Sequence, residues 1–219
     1  GQLDRFAPRG RLSQASLSWN GGDAKQVKSY AVKGRFEDLG VNAVYPWPGV
    51  SGMSGSLEGS EAGGAITLDS KAATFTLARI FRAPIAFQAL QGSATWSHEG
   101  NALSIALARM HFANADAEGD FSGTWRALPD SPQHSPGYVD VHGTLSRATA
   151  SRIADYMPNT VAPVRDWLGR AVQAGASGHA AFEVRGDLAR FPFGDGVDGH
   201  FLVEGDIRDG RLKYNPDWP

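Results

Sequence analysis

The chain has 219 residues, which suits one large all-β domain or two smaller ones with a sizeable hydrophobic core. Its net charge of −2 lacks the basic surplus that neutralises phosphates, so the composition disfavours nucleic-acid binding. The absence of cysteine excludes disulfides and thiolate metal sites, and no apolar run in the sequence is long enough to cross a bilayer.

The first part of the chain, residues 1–128, is predicted to consist of strands joined by turns. Turn signals rich in Gly, Asn and Asp separate segments in which apolar and polar side chains alternate, as they do in half-buried strands. The predicted strands cover residues 11–19, 27–36, 51–58, 65–68, 73–77, 87–97, 103–107 and 116–125. The polar segment 129–137 (PDSPQHSPG) is predicted to be a loop that separates this part from residues 138–219.

The second part combines strands with a single change of period. Residues 138–145 alternate as a strand does, whereas residues 151–172 have helical spacing. Val164, Trp167 and Leu168 fall on one apolar stripe of this helix, which predicts that they pack it onto the sheet. Gly175 is expected to end the helix. Strands are predicted again over 180–188, 201–207 and 212–214.

The late strands have one apolar and one polar face, which is typical of an antiparallel sheet. Phe182, Val184 and Leu188 point one way, and Phe201, Val203 and Ile207 repeat the pattern. A helix of about a dozen residues spans only ~18 Å and is too short to cover such a sheet. The sequence therefore predicts a mainly β chain, with a long curled antiparallel sheet and one short helical insertion around 151–172.

A five-residue pattern of apolar, any, Gly, any, apolar recurs along the chain. Its copies are centred on Gly34, Gly55, Gly92, Gly123, Gly143, Gly186 and Gly205. Because residues two apart share a face, each copy puts a glycine between two larger side chains on the apolar face. Such glycines either form notches for an apolar ligand or relieve crowding beside Trp and Phe on a twisted sheet, and the pattern alone leaves both open.

Residues that carry chemistry are present but form no diagnostic motif. Six histidines are scattered, and no two have the i, i+4 spacing of a helical zinc site. The acidic residues have no arrangement that identifies a glycosidase pair, and the Gly-rich run 55–64 lacks the Lys-Ser/Thr of a phosphate loop. We therefore predict no catalytic residue, no metal site, no cofactor and no enzymatic activity.

Several segments together resemble the YhdP branch of the AsmA-like protein family of Gram-negative bacteria. The segments are 139–145 (VDVHGTL), 153–158 (IADYMP), 164–168 (VRDWL), 182–188 (FEVRGDL) and 191–193 (FPF). The pair 153–158 and 164–168 is the most specific part of the resemblance. The first ~80 residues share only a β-rich, Gly-rich style with the family.

The resemblance implies a section of a long periplasmic protein that is anchored in the inner membrane by a helix outside this fragment. It implies a curled sheet whose apolar groove carries phospholipid towards the outer membrane, with acyl chains and neighbouring sections of the same protein as partners. The family has no catalytic motif to carry over. The residues expected to line the groove are Val139, Val141, Phe182, Val184, Leu188, Phe201, Val203 and Ile207.

Two other functions stay open from the sequence. The apolar face is filled by the chain's own side chains if the protein is a closed, non-catalytic β-sandwich scaffold of the cell envelope. A carbohydrate-active enzyme, the more remote alternative, requires paired carboxylates in an aromatic-lined cleft. An open apolar trough distinguishes the lipid-carrying interpretation from both.

Overall fold

The computed structural model describes residues 5–21, 29–44, 48–78, 80–100, 102–131, 135–194 and 196–215. Residues 27, 28 and 132–134, which the sequence assigns to a strand and to the polar loop, lie outside these ranges. The strands of the described part are β1 Arg9–Asn20, β2 Ser29–Val41, β3 Gly49–Ser60, β4 Gly63–Ser70, β5 Ala73–Thr76, β6 Ile85–Phe87, β7 Ala89–Glu99, β8 Ala102–Ala113, β9 Ala117–Arg126, β10 Tyr138–Thr149, β11 Val172–Ser177, β12 Ala180–Asp187, β13 Gly199–Gly205 and β14 Arg208–Leu212.

All of these strands belong to one antiparallel sheet with the connectivity of a meander. β3 pairs with both β4 and β5, and their next neighbours are β7 and β6 respectively. In the same way β10 pairs with both β11 and β12, followed by β14 and β13. Consecutive short strands such as β4 and β5, or β11 and β12, therefore lie one after the other along one neighbour as the two halves of an interrupted strand, and the interrupted strands pair in chain order.

The sheet is open, and both of its edges are exposed. Among the described residues β1 pairs only with β2, and β13 only with β12. Leu12 on β1 and Leu212 on β14 expose 68% and 60% of their surface. The prediction of a mainly β chain with one large antiparallel sheet and a short helical insertion is confirmed.

The hydrophobic core lies on one face in the middle of the sheet. Phe36, Met53, Leu68, Leu90 and Met110 expose at most 8% of their surface. An edge-to-face series of rings, Phe75, Phe87, Phe112 and Phe121, packs against this core with centroids 6.0–6.2 Å apart. Each such ring or aliphatic side chain contributes about 1.5–3 kcal/mol when fully buried, so this region anchors the sheet.

The helical insertion between β10 and β11 has three parts. Ala150–Tyr156 and Asn159–Val161 are 3-10 helices, and Ala162–Ala171 is the α-helix, here α1. The expected helix end at Gly175 is wrong. The α-helix ends at Ala171, because Val172 already begins β11, and Gly175 lies within that strand at a φ of 133°. No helix of the described residues is long and apolar enough to span a bilayer.

Candidate functional site

A continuous row of apolar residues crosses the sheet from β2 to β13. Cross-strand pairing places one residue of each strand in this first row: Gly34, Leu57, Ile66, Ala94, Leu107, Gly123, Val141, Val184 and Phe201. Neighbouring strands lie ~4.8 Å apart, so the row extends roughly 38 Å. It contains neither a charged nor a hydrogen-bonding side chain.

Two parallel rows flank the first row on the same face. In the second row, Phe121, Gly143, Phe182 and Val203 are successive partners on β9, β10, β12 and β13. The third row consists of Val32, Gly59, Gly64, Trp96, Ile105, Trp125, Val139, Gly186 and Gly199. The apolar face is therefore at least three rows wide over β9 to β13.

Glycines of these rows lie beneath aromatic rings of the chain itself. A Cβ at Gly59 would lie 2.6 Å from the Trp96 ring, and a Cβ at Gly143 would lie 2.6 Å from the Phe182 ring. Real Cβ contacts are never so short, so a larger residue would displace the ring. Gly143 belongs to the recurring pattern, so at this position the glycine relieves crowding, which supports the second of the two interpretations given above.

The opposite face of the sheet is polar and carries several pairs of oppositely charged side chains. Lys33 Nζ lies 3.4 Å from Glu58 Oε2, and His200 Nε2 lies 3.0 Å from Glu183 Oε1. A depression of about 490 Å³ on this side is lined by residues that include His142. Exposed ion pairs contribute little to stability, so their main effect is to keep this face in water.

Most of the predicted lining residues share the apolar face. Val139, Val141, Phe182, Val184 and Phe201 are half-buried there, and Val203 exposes 43% of its surface. Leu188 and Ile207 lie beyond the ends of β12 and β13, and Ile207 is 59% exposed. β12 ends because the Asp187 side chain accepts a hydrogen bond from the Ala189 N–H and starts a 3-10 turn.

A polar network fixes the helical insertion to the turn between β8 and β9. The Asn114 amide donates to Tyr156 Oη at 2.9 Å, and the Tyr156 hydroxyl donates to Asp116 at 3.0 Å. Burial raises the pKa of Tyr156 above its ordinary value, and the Asp116 carboxylate raises it further. Sequence reasoning missed Asn114, although an Asn two residues before an Asp between two strands is a turn signal that could have indicated it.

The three residues of the predicted apolar stripe of α1 differ in how deeply they are buried. Trp167 and Leu168 are half-buried, whereas Val164, in the first turn, is 53% exposed. The Trp167 indole N–H donates to the Tyr214 carbonyl at 3.3 Å, and the two rings meet edge-to-face. Trp167 therefore joins the helix to the segment that follows the edge strand β14.

The described residues contain no group of three or more His, Asp or Glu side chains that could hold a metal ion. Their buried side-chain polar atoms all have hydrogen-bond partners. Neither a ligating cluster nor an orphaned polar group therefore competes with the apolar face as a site within this part of the chain.

Comparison with known proteins gives a relative and a family for this chain. A protein of Escherichia coli (strain K12) named "Intermembrane phospholipid transporter YhdP" is 25% identical over 181 residues, which are 78% of this chain and 13% of that protein. The chain thus spans only a small part of that relative. No solved structure matches the chain. The family described as "YhdP protein" matches residues 1–219, and the chain belongs to this family.

Proposed function

We propose that the apolar face carries phospholipid acyl chains, as one section of a bridge-like protein that transfers phospholipid between the inner and outer membranes. The observation that carries the proposal is the uncharged first row, which continues across β2 to β13. The name of the Escherichia coli relative, a phospholipid transporter, supports phospholipid as the substrate class.

The free energy of an acyl chain on such a face changes little as the chain moves along it. Each acyl CH₂ removed from water gains about 0.8 kcal/mol, which holds the chain on the face. The first row offers apolar contacts at every strand. An acyl chain that moves along the row therefore replaces its contacts with one strand by contacts with the next at a low cost in free energy. No polar side chain of the row provides a deep minimum that would trap it.

The same proposal assigns a location and partners to the chain. It lies in the periplasm, in a protein anchored to the inner membrane by a segment outside these residues and needed for the outer membrane. Neighbouring sections of that protein pair with the sheet edges, where, among the described residues, β1 pairs only with β2 and β13 only with β12. Leu12 and Trp19, which are 68% and 62% exposed on β1, would then be covered.

One observation favours a scaffold role for part of the sheet. The core around Leu68, Leu90 and Met110 is sealed by side chains of the chain itself, as in a structural domain. The half-buried rows of β10, β12 and β13 distinguish the two functions, because a scaffold has no need of an accessible apolar strip.

Two adjacent residues of β13 provide a matched test. Val203 on the apolar face and Leu202 on the polar face expose 43% and 45% of their surface. In the full-length protein, Val203→Asp should reduce the phospholipid that co-purifies and increase outer-membrane permeability, because a carboxylate on the path must be desolvated. Leu202→Asp should do neither.

Thermal melts of both variants complete this experiment. Both side chains are partly exposed, so both variants should fold with similar melting temperatures. Equal lipid content in the two variants would contradict the proposal, and selective unfolding of Val203→Asp would favour the sealed scaffold.

A further inference from the structure

The segment after β12 folds back over the third row of the apolar face. The Phe193 ring lies above Gly186 and Gly199, and only 5% of this residue is exposed. A Cβ at Gly199 would lie 2.8 Å from Phe193 Cδ1, and one at Gly186 would lie 2.5 Å from Phe193 Cε1. The two paired glycines thus form a seat for this ring.

Phe193 occupies this seat at a cost in backbone strain. Its φ is 63°, a left-handed conformation that bulky residues rarely adopt. The Phe193 N–H donates to the Arg190 carbonyl at 2.8 Å, and the Gly196 N–H donates to the Phe193 carbonyl at 2.9 Å. An ion pair between Arg190 and Asp198 closes the base of the loop. Strain that the surroundings maintain in this way is typical of functional positions.

Three rings form one cluster, which we call the aromatic clip: Phe191, Phe193 and Phe201. The Phe191 ring centroid lies 5.6 Å from that of Phe193 and 5.4 Å from that of Phe201. Phe201 ends the first row on β13, whereas Phe193 covers the third row. The clip therefore extends from the third row to the margin of the first.

We propose that the aromatic clip positions the lipid by closing the third row at β12 and β13 and confining acyl chains to the first and second rows. This inference rests on the proposed function. Phe191 and Phe201, both half-buried, form the side wall of the path, and Val184 and Val203 form its floor. The wall and floor are hydrocarbon throughout, so the ligand that they fit is an acyl chain rather than a polar headgroup.

The position of Val139 makes the proposal testable. Val139 pairs with Gly186 in the third row, beside the Phe193 ring, whereas Val184 lies in the first row. An aliphatic diazirine residue introduced at position 139 or 184 of the full-length protein reports on lipid contact after illumination in membranes. We expect phospholipid adducts at position 184 and not at position 139. In combination with Phe193→Ala, adducts at position 139 should rise to the level seen at position 184.

A second variant covers the case in which Phe193→Ala does not fold. Phe193→Leu keeps an apolar side chain over the two glycines but removes the ring, and it should give a smaller gain at position 139. Gly194→Ala is the matched control, because a Cβ there meets no atom within 4 Å. A diazirine residue at Thr124, on the polar face, should give no phospholipid adduct in any variant.

The possible results separate the clip from the proposed function. An absence of adducts at both 139 and 184 in every variant would overturn the lipid path itself. Adducts at 184 together with equal adducts at 139 in the unaltered protein would overturn the clip and leave the path intact. Adducts confined to 184 even after Phe193→Ala and Phe193→Leu would also overturn the clip.

Discussion

The apolar face is continuous, but its central and C-terminal regions differ in how deeply it is buried. On β7 and β8, Leu90 and Met110 each expose 4% of their surface. On β12 and β13, by contrast, Val184 is half-buried and Val203 is 43% exposed. Both regions have the same alternation of apolar and polar residues, so the strand pattern does not cause the difference.

The two regions differ in burial because different side chains pack against them. Phe75 and Phe87, supplied by the short strands β5 and β6, pack against the central core. In the C-terminal region the aromatic clip covers the third row and leaves the other rows half-buried. A single sheet can therefore combine a sealed core that supplies stability with an accessible strip that is available for a ligand.

The largest expected effect tests this contrast directly. Leu90→Ala should lower the free energy of unfolding by about 3 kcal/mol, because it leaves a cavity in a sealed core. Val184→Ala should cost about 1 kcal/mol, because Val184 is only partly buried and its truncation removes less buried apolar surface. Denaturant titrations of both variants measure the difference. Equal losses would mean that the two regions are packed alike.

The sequence predicts the strands and their faces but not the depth of burial. Period-two alternation around Phe182 and Val184 depends only on local geometry, so the apolar face could be assigned from it. Burial depends on which side chains pack against the face, and the positions of Phe75, Phe87 and Phe193 depend on turns and loops whose course local patterns do not determine. In the sequence, the segment 191–193 carries only part of a family resemblance, and no local pattern indicates the position of Phe193 over Gly186 and Gly199.

A second prediction concerns the contact between the two regions. The helical insertion follows β10, but it packs on the β8–β9 turn through Asn114. This side chain also accepts hydrogen bonds from the Asp116 and Ala117 N–H groups at 2.9 and 2.8 Å. Asn114→Ala should cost about 2–3 kcal/mol, since it leaves buried partners unpaired. A loss below about 0.5 kcal/mol would show that the insertion is held elsewhere.

Tyr156→Phe removes the hydroxyl that contacts Asn114, and its effect on the free energy of unfolding should depend on pH. The pKa of Tyr156 is raised in the folded chain, chiefly by burial, so the folded state favours the neutral phenol. The corresponding stability is fully present below the unfolded pKa of about 10 and is lost as pH rises through the folded pKa. The advantage of the unaltered chain over Tyr156→Phe should therefore decline above about pH 10. Parallel unfolding curves at all pH values would contradict this.

The smallest effects are expected at the edge of the C-terminal region, on the α-helix α1. Trp167→Ala should cost about 2 kcal/mol, less than the ~3–5 kcal/mol of a core tryptophan, because the ring is half-buried against Tyr214. Val164→Ala should cost less than about 0.5 kcal/mol, because Val164 is 53% exposed. Denaturant titration of the 219-residue chain measures both losses.

Trp167→Ala and Val164→Ala can also be compared in the full-length protein, where neighbouring sections are present. If a neighbouring section packs against the exposed first turn of α1, it buries Val164, and Val164→Ala should then cost measurably more than in the isolated chain. Trp167→Ala should change less, because its main partner, Tyr214, is already present in this chain. An unchanged cost at Val164 would mean that no neighbouring section covers the first turn of α1.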